Sequence, residues 1–405
     1  MLIKNIGRLV TLEPGAGREG ILGVIEDAAV RVRSGKIAWA GPRKKLPDAA
    51  DREAVVDADG GVVMPGLIDC HTHLVHAGFR QSEFNLRSQG KSYQEIAASG
   101  GGIMSTVEAT RKAKLKELFA SAEQRAMEAL SHGTTAIEIK TGYGLDRTAE
   151  AKMTEAIRAL AGRGPQRIVG TFLGAHVVPR EFKGRRGEYL QHILDDMLPA
   201  AKKSGVISAC DVFVEDGAYT ADEARKIGAA ARAMGLGMHL HVDQFSDVGG
   251  GELAAELGAL SADHLDHTSE KGMRAMARAG VGAVVLPGAS FFAGRGRYPD
   301  VRKMIDLGLK VAIATDYNPG TNPSLDLWMA ATIAVAQMGM TCDEALVAVT
   351  QNAASVLGLT DCGRVAVGNR ADLIILDAPD EYFPLYRYGT NFVSKVLVSG
   401  AIVLG

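Results

Sequence analysis

His71 and His73 stand two residues apart at the end of an apolar run, Val62-Val-Met-Pro-Gly-Leu-Ile68. On a β-strand successive side chains alternate faces, so the two imidazoles share one face while Cys70 and Thr72 take the other. Two imidazoles side by side can bind one metal ion, each nitrogen about 2.0–2.1 Å from it. The plainer alternative is a pair of polar strand residues hydrogen-bonded to neighbours, and the pair alone does not decide.

Residues further along add weight. Gly237-Met-His239-Leu-His241 is a second alternating pair. His241 ends that run and is the better ligand, whereas His239, one layer lower, is expected as a hydrogen-bonded core histidine. Asp316 closes the apolar run Val311-Ala-Ile-Ala-Thr315, where a carboxylate is costly to bury unless it meets a cation or a donor. His71, His73, His241 and Asp316 together offer three neutral imidazoles and one carboxylate. That set suits Zn²⁺, with Fe or Mn conceivable. A bound zinc ion brings the pKa of its water to about 7 and so supplies a nucleophile without any serine or cysteine. Asp316 can ligate the ion and also accept the proton. His264, in Ser261-Ala-Asp-His264, is the candidate to orient or deprotonate the water, the alternative being a ligand-contacting or structural histidine.

Arg80 follows His73 by a few residues. A guanidinium there suits a substrate carboxylate through a bidentate contact, and a plain surface arginine is the competing view. Tyr143 lies between Gly142 and Gly144; Asn318, Gly320 and Thr321 offer an amide, an open backbone N–H and a hydroxyl just beyond Asp316. The glycine triplets 100–102 and 249–251 are either flexible hinges or anion cradles at a helix N-terminus.

These groups need elements to position them. Apolar runs ending near His73, Lys140, His176, Asp216, His241, His264, Pro287 and Asp316 alternate with helical patterns over 105–130, 221–234, 251–258, 269–278 and 324–337. Eight strand–helix units over about 250 residues match a (β/α)8 barrel, whose active sites lie at the C-terminal strand ends. All the candidate ligands fall at that rim. Short strands between helices imply a parallel sheet. The two chain ends read differently: residues 1–62 and 361–405 are short alternating strands with Gly and Pro punctuation, neither able to bury a core alone. The expected fold is therefore α/β, a distorted (β/α)8 TIM barrel over 63–360 with a small β-sandwich built from both chain ends. Many metal barrels bridge two ions through a modified lysine at the fourth strand. Here that strand reads Asp211-Val-Phe-Val-Glu-Asp216, without lysine, and Lys140 on the second reads as a salt-bridge or loop residue. One metal ion is expected.

Composition bounds the partners. The chain has 405 residues, 47% hydrophobic and 23% charged, with a formal net charge of −2. No long basic stripe exists and aromatics are only 5%, which argues against nucleic acid. The scattered cysteines 70, 210, 342 and 362 suggest reduced thiols and not a disulfide framework. No apolar N-terminal run marks a signal peptide and no stretch is long enough to span a bilayer, so no membrane partner and a cytoplasmic location are expected.

At this point the residues become recognisable. Pro65-Gly-Leu-Ile-Asp-Cys-His71-Thr-His73 resembles the strand-one signature of the amidohydrolase superfamily, and Gly363-Arg-Val-Ala-Val-Gly368 resembles part of the β-sandwich that accompanies many members. More narrowly, the loop 86–103, Lys140-Thr-Gly-Tyr143, Phe172-Leu-Gly-Ala-His176, His241-Val-Asp-Gln244 and Asp316-Tyr-Asn-Pro-Gly-Thr-Asn322 are similar to the members that open the ring of imidazolone propionate in histidine degradation. The resemblance implies one Zn²⁺ or Fe ion per subunit on His71, His73, His241 and Asp316. It implies substrate contacts from Arg80, Tyr143, His176, Gln244 and Thr321, with Asn318 and Gly320 holding the formimino-glutamate product. His264 belongs to the same site, as does Tyr93, and the subunits form a homodimer. Some relatives carry glutamate where this chain has Gln244, and a neutral amide cannot act as a base. The acid–base work then falls on Asp316 and His264. Two other classes compete: a cyclic-amide hydrolase or purine/pyrimidine deaminase on the same scaffold, and a barrel that has lost its chemistry. Arg80 argues against the first, because a neutral base needs no carboxylate clamp. The full ligand set argues against the second.

Overall fold

The computed structural model describes the chain except residues 14, 16, 18, 19, 49–52, 92–94, 96–100 and 295. Eight strands form the barrel: β1 (Leu67–Asp69), β2 (Thr134–Lys140), β3 (Arg167–Ala175), β4 (Ile207–Val214), β5 (Gly237–Val242), β6 (Ser261–His264), β7 (Gly282–Val285) and β8 (Val311–Ile313). Each pairs in parallel with the next in chain order. Closure comes at the rim, beyond the regular strands. Thr72 bridges Tyr317 in parallel, the Asp316 N–H donates to the His71 carbonyl at 3.0 Å, and the His73 N–H donates to the Tyr317 carbonyl at 2.8 Å. Below that seam the Asp69 carboxylate accepts from the Thr315 N–H (3.1 Å) and hydroxyl (2.6 Å). The seam that closes the barrel thus carries three of the four expected metal ligands.

Amphipathic helices cover the strands. Arg147–Arg163 starts at Asp146, whose side chain accepts from the Ala149 N–H, and Ala221–Ala233 starts with a Thr220/Glu223 capping box. The single helix expected over 105–130 is two, Ile103–Lys112 and Leu115–Ser131. The break has a visible cause. Lys152 Nζ donates to the carbonyls of Thr110, Arg111 and Ala113 at 3.0, 2.8 and 2.6 Å, ending the first helix. The Glu117 carboxylate accepts from the Lys114 N–H at 2.8 Å and starts the second. No helix among the described residues is long and apolar enough to cross a membrane.

Both chain ends join one eight-stranded mixed sheet. Strand Val62–Pro65 lies parallel to Leu2–Leu9 and antiparallel to Leu373–Leu376. Period-two alternation then splits its side chains between two cores. Ile3, Ile6, Val30, Val63, Leu373 and Ile375 pack inside the small domain; Val62, Met64, Ile374 and Leu376 join the barrel's core. The main chain passes from this sheet into β1 at Gly66. A Cβ there would overlap the Thr135 side chain. Gly66→Ala should therefore destabilise the fold by about 1–3 kcal/mol, the range for overpacking, read as a lower midpoint in thermal unfolding.

Candidate metal centre and active site

His71 and His73 extend β1 along the rim seam, His241 lies in β5, His264 ends β6, and Asp316 follows β8. All five are buried. His73 Nε2 lies 3.4 Å from His241 Nε2 and 3.4 Å from Asp316 Oδ1; His71 Nε2 lies 3.6 Å from the same oxygen. Two overlapping sets, His71–His73–Asp316 and His71–His241–His264, each keep their ligand atoms within 4.8 Å of one another. Asp316 (φ 52°) and His264 (φ 78°) both sit in left-handed backbone, a strained conformation of the kind found at functional sites.

The donor chemistry fits a cation. Burial holds the His71 and His73 imidazoles well below the usual histidine range, so both are neutral. The buried His71 Nε2 has no hydrogen-bond partner. Nitrogen lone pairs and a carboxylate oxygen converging at these distances repel one another unless a proton or a positive ion lies between them, and neutral imidazoles with a carboxylate are the donor set that takes a cation. Burial also pushes the Asp316 carboxyl up to about 7, against the pull of His241, Asn318 and Thr321. A cation at the centre would hold it ionised.

Beneath the ligands lies a layer of charge that the sequence reading left unassigned. His71 Nδ1 donates to Asp263 Oδ2 at 2.6 Å, and His241 Nδ1 lies 3.0 Å from Asp211 Oδ2. Carboxylates behind metal-binding histidines fix the tautomer and aim the other nitrogen at the ion. Lys140 Nζ sits 2.9 Å from Asp211, 3.0 Å from Glu138 and 3.7 Å from Asp263. The salt-bridge reading of Lys140 is right, but the bridge is fully buried. His239 is the expected core histidine, 2.8 Å from the Ser261 hydroxyl, which in turn donates to Asp263 at 2.5 Å. A signal existed: Glu138/Lys140, Asp211, His239/His241 and Ser261/Asp263 sit at inward, alternate positions of apolar strands.

Aromatic rings wall the centre on one side. His176 stacks on His73 with centroids 5.3 Å apart and planes 18° apart, and Tyr143 lies 5.5 Å from His176 and 5.7 Å from His73. His176 Nδ1 is 3.1 Å from the Gly142 carbonyl. On the other side Arg80 packs over Gly320, where a Cβ would come within 2.9 Å of the guanidinium carbon. Glu83 accepts from Arg80 Nε at 2.9 Å. Arg80 and Gly320 also line a cavity of about 380 Å³ with Phe79, Phe84, Phe292 and Pro319. Asn318 is spent within its own turn: its Oδ1 accepts from the Gly320 and Thr321 N–H groups at 2.8 and 2.7 Å, and its Nδ2 donates to the Asp316 carbonyl at 2.8 Å and to Thr321 Oγ1 at 2.7 Å. Thr321 in turn donates to Asp316 Oδ2 at 3.3 Å. Gln244 lies half-buried in the turn after β5, next to Phe245 and Ser246, which donate to the buried Glu215 carboxylate at 2.8 and 2.5 Å. Tyr93 lies outside the described residues.

In the triplet 249–251 and at Gly102, N–H groups donate to the chain's own anions; Gly100 lies outside the described residues. Asp243 Oδ1 accepts from the Val248 and Gly250 N–H groups at 3.1 and 3.0 Å, and Glu83 accepts from the Gly102 N–H at 2.9 Å. Neither is left to cradle a ligand through those groups.

Comparison with known proteins now has a geometry to explain. Residues 62–403 match the amidohydrolase family. The imidazolonepropionase of Alkaliphilus oremlandii is 43% identical over 410 residues, covering 99% of this chain and 97% of its own. That of a Bradyrhizobium species is 45% identical over 385 residues, with 95% of each chain covered. Among solved structures, an adenosine deaminase from Xanthomonas campestris with bound zinc superposes with a TM-score of 0.68 at 21% identity, over 100% of this chain and 92% of its own; that likeness speaks to the fold. By these matches the chain belongs to the amidohydrolase family and, within it, to the imidazolonepropionases.

Proposed function

We propose that the protein hydrolyses 4-imidazolone-5-propanoate to N-formimino-L-glutamate, using one zinc or iron ion held by His71, His73, His241 and Asp316. The observation that carries this reading is the convergence of four buried donors, linked by His73–His241 and His73–Asp316 contacts of 3.4 Å and a His71–Asp316 contact of 3.6 Å, with Arg80 packed over Gly320 in the turn that follows Asp316. When bound, the ion supplies a Lewis acid that acidifies water and polarises the ring carbonyl. Asp316 takes the proton from the attacking water and hands it to the ring nitrogen as the C–N bond breaks. His264 faces the oxygen on which negative charge develops. Tyr143 and His176 hold the ring, with Tyr93 contributing from the loop 86–103, and Thr321 hydrogen-bonds the substrate. Asn318 and Gly320 shape the wall on the product's side through the turn they share, their own polar groups being spent on it. Gln244 donates and accepts hydrogen bonds and moves no proton.

Arg80 anchors the propionate. Charge-assisted hydrogen bonds of this kind contribute about 1.5–3 kcal/mol, so Gly320→Ala, which displaces the guanidinium, should raise KM about 10- to 100-fold with kcat little changed. An unchanged KM would remove the carboxylate role.

The same reading carries a cytoplasmic homodimer. The four cysteines are free thiols, in keeping with a reducing compartment, and sedimentation checks the dimer. The decisive assay follows loss of substrate absorbance in the ultraviolet, with cytosine, guanine and hydantoin alongside and the metal measured by plasma spectrometry on the same sample. Metal-loaded protein that leaves imidazolone propionate intact overturns the reading.

A further inference from the structure

A third group of potential ligands lies just below the first: Asp211, His241 and Asp263 offer atoms within 4.8 Å of one another, all buried. This group already has a cation. Lys140 reaches in from β2, and its ammonium stands 2.9 Å from Asp211 Oδ2, 3.7 Å from Asp263 Oδ2 and 3.0 Å from Glu138 Oε1. All four side chains are fully buried. Three carboxylates in a dry barrel cannot stay charged without compensation, and Lys140 is the cation that touches all three. The two carboxylates it shares are those behind His71 and His241.

We propose that the Lys140 ammonium takes the place of a second metal ion in this barrel and, as a positioning residue, holds Asp211 and Asp263 on the Nδ1 atoms of His241 and His71. The site therefore has room for one ion. This rests on the metal reading above and adds to it the reason for the stoichiometry. The ammonium differs from an ion in one useful way: it is covalently tethered, so the carboxylates stay aimed when the upper ion leaves.

The test is a count of metal. Wild-type protein and Lys140→Ala are expressed with zinc in the medium, dialysed against buffer containing zinc, freed of excess and measured by plasma spectrometry, with circular dichroism to verify folding. Wild type should hold one zinc ion per chain and Lys140→Ala a second. Adding Asp263→Asn to Lys140→Ala should remove the second ion, which locates it. Wild type holding two ions overturns the proposal. A folded Lys140→Ala holding one ion does so as well, and so does a variant that stays unfolded with zinc present, since the ion would then fail to replace the ammonium. Wild type holding none would instead sink the metal reading beneath it.

Discussion

His73→Ala should lose the metal and the turnover together. Its Nε2 stands 3.4 Å from both Asp316 Oδ1 and His241 Nε2, so truncation opens the ligand set on the side of the stacked His176 ring and the tilted Tyr143 ring. A site left with two imidazoles and one carboxylate binds zinc far less tightly. Activity should fall by at least about 10²–10³-fold, the effect of removing even one group that stabilises a developing oxyanion. Asp316→Ala should behave alike and additionally lose the proton acceptor. His176→Ala is the informative contrast, because that ring stacks on His73 at 5.3 Å but belongs to neither ligand set around Asp316 or His264. It should keep the metal and lose mainly substrate affinity. Zinc content and steady-state kinetics on the same preparations read both outcomes. A His73→Ala protein that keeps zinc and full activity contradicts the assignment.

Lys140→Met should be the most destabilising single change in the barrel that leaves the metal ligands in place. The side chain's volume is nearly conserved, so no large cavity forms; what is lost is the charge among Glu138, Asp211 and Asp263. Breaking a buried ion pair by removing one partner costs about 3–5 kcal/mol, because the other charge is left without compensation. Arg158→Ala supplies the scale. Its partner Glu155 lies three residues away on the outer face of a helix, both side chains being exposed, and such solvent-screened pairs contribute little to stability. Urea denaturation of chelator-treated protein compares the two. Equal small losses would show that the inner charges are relaxed by water or by proton uptake, and the ammonium would lose its structural role.

The rim of this site was legible because its members end apolar strands. His71, His73 and Asp316 each follow a hydrophobic run where a barrel strand gives way to a loop, and His241 and His264 lie at or one residue inside a strand end, which is a local signal. Lys140, Asp211 and Asp263 carry an equally local anomaly, charge inside an apolar strand, but its meaning is not local. Asp263 meets His71 across 192 residues of sequence, a pairing that exists only once the barrel closes. Sequence alone therefore reads Lys140 as a salt-bridge or loop residue and leaves its carboxylates unassigned. The glycine triplets illustrate the same limit. Sequence reads them as hinges or as anion cradles, and at Gly250 and Gly102 the anions are Asp243 and Glu83 of the chain itself. Helix boundaries fail for a different reason: the break at 113–114 is imposed by Lys152 from the next helix, which no pattern within 105–130 encodes.

Strand Val62–Pro65 has one neighbour, Leu2–Leu9, upstream of it in the sequence and another, Leu373–Leu376, roughly 300 residues downstream. At about 5–20 residues per second on the ribosome, the second neighbour emerges tens of seconds after the first. Throughout synthesis the nascent chain carries an unpaired β-edge directly upstream of the histidine pair, the kind of surface that recruits other strands. A chain cut short before residue 373 keeps every candidate site residue named above and still leaves that edge bare. Aggregation, and not weakened chemistry, is the failure to expect from C-terminal truncation.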